Sequence, residues 1–166
     1  MEAEANDPIT EARRQWIAHG WSDAASGMAA VTTIVRVNQL LMARIDAVLR
    51  PHGLTFSRFE VLRLLAFTRQ GGLPMGKLTV RLQVHPASVT NAVDRLEADG
   101  LVTRVPNPRD SRSTIAKILP AGHRLLEPAT NDLNALFSDI GGPEDLDSLT
   151  TSLGALGRRC EELQPE

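Results

Sequence analysis

The chain has 166 residues, 42% hydrophobic and 23% charged, enough for one substantial core and too few for two independent ones. Its 18 basic and 20 acidic residues leave a net charge of −2, so overall basicity does not announce a polyanionic partner. A single cysteine, Cys160, excludes an intramolecular disulfide framework, and no run approaches the ~18 apolar residues that a bilayer span needs. The acidic opening, residues 1–7, is unlike a secretory leader, so a cytoplasmic protein with no membrane contact is expected.

In chain order, Asp7-Pro8 is a helix start, with Asp as N-cap and Pro in the first turn. The helix carries Ile9, Trp16 and Ile17, and Gly20 stops it. A long helix follows over about 24–49. Met28, Val31, Val35, Met42, Ile45 and Leu49 form one apolar stripe, and Ile34, Val37, Leu41 and Val48 form another. Two stripes mean burial on two sides, which a partner helix would supply. Pro51 to Thr55 breaks the helix; Thr55 or Ser57 can cap the next, expected to reach about 68 before Gly71-Gly72 ends it. A short helix over 75–82 and a three-residue turn, 83–85, lead to Pro86 at the first position of another helix, closed by Gly100 as a left-handed C-cap.

The period then changes from helix to strand. Residues 101–105 and 113–119 read as a β-hairpin around the turn-rich 107–111. A helix is expected from Pro120-Ala121-Gly122 to about 139, broken by Gly141-Gly142-Pro143. The last helix places Leu146, Leu149, Leu153, Leu156, Cys160 and Leu163 at spacings of 3, 4, 3, 4 and 3, a heptad seam.

Charge follows this layout. Residues 31–120 sum to +7, residues 1–30 to −3 and residues 121–166 to −6. A basic middle between acidic ends leaves one region suited to phosphate. Helix, short helix, tight turn, helix and charged hairpin make a winged helix-turn-helix, whose second helix fits the major groove. On that helix Val89, Ala92, Val93 and Leu96 should face the core. Asn91, Asp94 and Arg95 lie opposite, with Ser88 and Thr90 on the flanks. Asn91 can pair with adenine, Arg95 with guanine or phosphate, and Ser88 and Thr90 with either. Arg104, Arg109 and Arg112 bracket a turn shaped by Pro108 and Asp110, and two arginines at such a tip suit a narrow minor groove. Lys77 and His85 complete the expected DNA-contacting set; His85 reads as a phosphate contact or a plain turn residue. Any one of these features alone would be an ordinary solvated surface; their order is what points to DNA.

The run from Ser88 to Ser113, containing Val-Thr, Asp94-Arg95-Leu96-Glu97, Gly100-Leu101-Val102 and Asn107-Pro108-Arg109-Asp110, with Leu119-Pro120-Ala121-Gly122 after it, resembles the MarR family of regulators. The resemblance covers about residues 28–165. Asn107 stands where the family's wing usually begins with Asp, Pro120 where Thr is usual, and Thr79 where Ala is common. It implies a mainly α (α+β) fold, a winged helix-turn-helix over 51–120, and long N- and C-terminal helices, 23–50 and 121–166, that form a dimerisation domain. Residues 1–22 are then an extension helix. The implied function is that of a transcription regulator, usually a repressor. It would bind a pseudo-palindromic operator in double-stranded DNA as a homodimer and be released by a small-molecule effector.

The extension is similar to the urate-responsive branch, in which an N-terminal Trp and an Asp help hold an aromatic anion. Trp16 matches the first and Glu60 stands in place of the second. A wedge of Trp16, Arg36, Phe59, Glu60 and Arg63 would suit a small aromatic or carboxylate anion. Alternatively, Trp16 simply packs the extra helix. A redox-sensing regulator acting through Cys160 is the competing function, though a cysteine on a heptad seam is usually inert packing. No P-loop, no G-x-S-x-G and no tyrosine are present, and His19, His52, His85 and His123 lack metal-ligand spacing, so neither an enzyme nor a cofactor or metal is expected.

Overall fold

The computed structural model describes residues 7–163. Residues 1–6 of the expected extension and 164–166 of the second expected dimerisation segment lie outside them.

Helix α1 (Pro8–Ala18) begins as the sequence dictates. Asp7 is the N-cap, its carboxylate accepting the Thr10 N–H at 2.9 Å, and Gly20 at φ +85° ends the turn. Helix α2 (Ser22–Leu49) runs back along it and buries Ala25 between them. Trp16 and Trp21 meet edge to face at 5.2 Å, and His19 stacks on Trp21. A 3₁₀ turn, Arg50–His52, closes α2, with Gly53 left-handed after it. His52 Nε2 lies 2.7 Å from Asp132 Oδ2, tying this corner to a later helix.

Thr55 caps α3 (Phe56–Ala66), which ends two residues earlier than its apolar pattern suggests. The reason lies beyond it. Gly71 takes φ +61°, and Gly72–Pro74 forms a strand, β1, that sequence reading leaves as a loop. It exists because β3 is long enough to pair on both sides. After α4 (Met75–Leu82), Gln83 adopts a left-handed φ of 52°, the sharp step a three-residue turn needs, and α5 (Pro86–Ala98) follows. Strands β2 (Val102–Asn107) and β3 (Asp110–Ile118) then form the hairpin, giving an antiparallel sheet in the order β1-β3-β2. Pro120 occupies the first turn of α6 (Pro120–Ser138), and Gly142-Pro143 starts α7 (Pro143–Glu162).

One core joins these parts: Phe59, Val61, Leu62 and Leu65 of α3, Leu78 of α4, the inner face of α5, and Leu73, Val102, Ala116 and Ile118 of the sheet. Ile45 and Leu49 seal one side from the end of α2, and Leu126, Ala129 and Leu133 another from α6. The remaining helical surface is different. Neither α1 nor α7 has a buried residue. Val35 is 52% exposed, Leu149 51% and Leu153 42% within the protomer, so the apolar stripe of α2's first half and the α7 seam are both left uncovered. Among the described residues no helix is long and apolar enough to cross a membrane.

Candidate nucleic-acid interface

The outer face of α5 is built by what its inner face must do. Val89, Ala92, Val93 and Leu96 are all buried, and at 3.6 residues per turn this turns Ser88, Asn91 and Arg95 to solvent. Ser88, Asn91 and Arg95 line one open groove of about 650 Å³ with Thr55, Arg58 and Val84. Thr90 is exposed on the other flank. His85 is the N-cap of α5: its Nδ1 accepts the Ala87 N–H at 3.2 Å, which places the ring proton on Nε2, free to donate outward. The turn residue and the phosphate donor can therefore be one residue.

Arg58 is a cation that sequence reading passed over. It donates to the Gly53 carbonyl at 2.7 Å and to Asp99 Oδ2 at 3.1 Å, so it braces the 3₁₀ corner against the end of α5 while lining the groove.

Arg104 departs from its grouping with the wing arginines. It reaches Asp94 Oδ1 at 2.6 Å and Glu97 Oε2 at 2.7 Å, and its backbone N–H donates to Glu97 Oε1 at 2.8 Å. Lying mid-strand in β2 beside α5, it is neutralised by two carboxylates and fixes the helix to the wing; it offers no free charge.

The hairpin tip is ordered by its own side chains. Asn107 Oδ1 accepts the Arg109 N–H at 3.1 Å and Asn107 Nδ2 donates to Ser113 Oγ at 2.8 Å. Asp110 Oδ1 accepts the Arg112 N–H at 3.0 Å. These are the local turns that Asn and Asp favour, and Asn107 makes its turn without the carboxylate usual there. Arg109 and Arg112 are exposed and make no ion pair among the described residues. Lys77, exposed near the start of α4, shares a cavity with Arg109.

The five residues expected to hold an effector do not converge within one protomer. Phe59 is 6% exposed and belongs to the core. Glu60, a position further round α3, lines a small apolar groove with Val84 and Ser88, and burial raises its carboxyl above the ordinary range. Arg63 points the opposite way, into a gap of about 310 Å³ against α6 beside His123, Thr130 and Asn131. It donates to Thr130 Oγ1 at 3.2 Å and stacks over Phe67 at 4.6 Å, while its Nε is buried without a hydrogen-bond partner. Arg36 is exposed on α2, and half-buried Trp16 packs on Trp21. Among the described residues no three His, Cys, Asp or Glu side chains are grouped to hold a metal ion.

Comparison with known proteins agrees with this geometry. The MarR family model matches residues 52–113, from the 3₁₀ corner to the wing. Sco5413 of Streptomyces coelicolor, solved as a MarR family transcriptional regulator, is 42% identical with a TM-score of 0.73, covering 84% of this chain and 99% of that one. Sco3205 of the same organism, a family member solved in complex with DNA, is 25% identical with a TM-score of 0.70, covering 82% of this chain and 87% of its own. BadR of Rhodopseudomonas palustris, a transcriptional activatory protein, is 30% identical over 103 residues, 61% of this chain and 59% of BadR. The chain belongs to the MarR family of DNA-binding transcriptional regulators, a family of regulators and not of enzymes.

Proposed function

We propose that this regulator is a homodimeric repressor that grips a pseudo-palindromic operator through α5 and the wing of each subunit and is released by a small aromatic or carboxylate anion. The observation that carries the DNA reading is the exposed Ser88-Asn91-Arg95 face of α5 beside a wing tip whose Arg109 and Arg112 have no counter-ion among the described residues. Thr90, Lys77 and the outward Nε2–H of His85 extend the same surface. Two such units set about 34 Å apart would match successive major grooves on one face of the duplex.

Dimerisation is supported by the outward apolar stripes. Val31, Val35, Leu149 and Leu153 are too many and too regularly spaced to stay wet on a soluble monomer. Residues 23–50 and 121–166 would form the dimerisation part, 51–120 the DNA-binding part and 1–22 a cover on the first arm. Cys160 lies on the α7 seam and would be covered with it.

The effector reading rests on Arg63. A guanidinium that lines an open gap against α6 and stacks on an aromatic ring suits the carboxylate of an aromatic molecule. Arg36 and Trp16 of the partner or the same chain could close the site in a dimer, and urate and salicylate are the probes that this chemistry suggests. Such a ligand lowers DNA affinity only by preferring a different spacing of the two lobes.

The test of the DNA reading is the double variant Arg109→Ala, Arg112→Ala. It should weaken binding to all duplexes, and the slope of log K against log salt should fall by about one for each phosphate contact removed. Unchanged affinity and slope, measured by fluorescence anisotropy across a salt series, overturn the wing assignment.

A further inference from the structure

The sheet has two faces with different destinies. Leu73, Val102, Ala116 and Ile118 turn inward to the core. Thr103, Val105, Ile115 and Lys117 alternate outward, away from α5. Where this outer face meets the start of α4 and the wing tip, it forms a cavity of about 770 Å³, the size of a small-molecule site. Its floor is apolar, made by Pro74, Val105 and Ile115. Its rim carries Lys77, Arg109 and Lys117 and not one carboxylate. None of the three cations has an ion pair among the described residues.

Gly72 explains how the floor is made. It sits opposite Lys117 in the β1–β3 register, and a Cβ there would lie 2.8 Å from Lys117 Cγ and 3.0 Å from the Ala116 carbonyl. The missing side chain leaves room over β1 for the Lys117 stem, which lines the cavity.

We propose that this outer face of the wing sheet is a second ligand site, separate from the Arg63 gap, for an organic anion with a flat apolar body. A bare phosphate backbone has no use for a hydrophobic floor, and a neutral apolar molecule has none for three uncompensated cations; an aryl carboxylate satisfies both. The site shares Lys77 and Arg109 with the proposed DNA contact, and in this respect it rests on that reading. An anion held there fills the cavity that Lys77 and Arg109 line, so ligand and operator exclude each other from the same surface. Competition has a signature that coupling between distant sites lacks. The apparent Kd for DNA rises in proportion to ligand without limit, whereas an allosteric ligand reaches a plateau at its coupling factor, typically about 5–150-fold.

The experiment uses 2-naphthoate as probe on the full chain. Calorimetric titration should show binding to the wild type and to Arg63→Ala, and at least a tenfold weakening in Lys117→Glu, an exposed strand position where thermal melting checks that the fold is kept. DNA anisotropy titrations should show a Kd that climbs linearly with 2-naphthoate. Binding to Lys117→Glu at wild-type strength, or binding lost only in Arg63→Ala, overturns the site. So does a Lys117→Glu variant that binds no probe less well but loses DNA affinity and salt slope, since the groove would then be a track for the phosphate backbone. If 2-naphthoate requires Lys117 yet the Arg109, Arg112 double variant binds DNA normally, the ligand site holds and the wing reading fails.

Discussion

The lobe from α3 to β3 and the arms formed by α1, the first half of α2 and α7 are written in the same apolar periodicity, yet their leucines meet opposite fates. Leu62, Leu78 and Leu96 are completely buried; Leu149, Leu153 and Leu156 stand at the surface. Helices of the lobe pack on one another and on the sheet, so each apolar face finds a neighbour in the same chain. In the arms α1 covers one side of α2, but the α7 seam finds no cover within the protomer. Apolar spacing therefore specifies that a face will be covered, and only topology specifies whether the cover comes from the same chain.

That contrast can be broken most sharply by cutting one leucine on each side of it. Leu96→Ala should destabilise by about 2–5 kcal/mol, and by the same amount at every protein concentration, because the cavity opens inside one protomer. Leu149→Ala combined with Leu153→Ala should instead lower the urea midpoint most in dilute protein and least in concentrated protein, as loss of association demands. A seam variant that unfolds like the wild type across a hundredfold range of concentration would mean that the arms are not covered by a second copy.

A smaller effect probes the lobe's outer surface. Asn91→Ala should cost roughly 1–3 kcal/mol on the preferred operator and little on unrelated duplex, if the side chain reads a base edge. An equal loss on both would reassign Asn91 from reading sequence to holding backbone.

The smallest shift belongs to Glu60, at the margin between buried and open. Burial raises its folded pKa above the ordinary 4.5, so the folded state prefers the neutral acid. Stability from that preference is fully present below the unfolded pKa and is lost as pH rises through the folded one. Glu60→Gln should then melt above the wild type at pH 7, and the gap should close as pH drops below the carboxylate range. A gap that widens in acid would mean that the carboxylate is stabilised as an anion.

Much of this was legible in the residues. Pro86, Gly100, Pro120 and Gly142-Pro143 mark the ends of their helices because each acts on its own backbone. The inner face of α5 followed from periodicity alone. Strand β1 did not, because Gly72-Leu73-Pro74 has no strand signal of its own and is held only by pairing with Lys117, Ala116 and Ile115. Arg104 was misleading for a related reason: beside Arg109 and Arg112 in sequence it reads as another wing cation, but β2's alternation turns it toward Asp94 and Glu97. The expected wedge around Phe59 and Arg63 failed to form within one chain because positions 59 and 60 of a helix face different neighbours.

Gly122 sits where α6 leaves the sheet. A Cβ there would lie 2.5 Å from the Leu101 carbonyl and 2.8 Å from Ile118, and the neighbouring Leu119 N–H already donates to that carbonyl. The root of α6 is thus pressed against the base of the wing with no room for even a methyl group. A crank works only when its arm is keyed to its shaft, and this contact is such a key. A swing of α6 about this root would press on β2 and β3, and a methyl at 122 would push them apart.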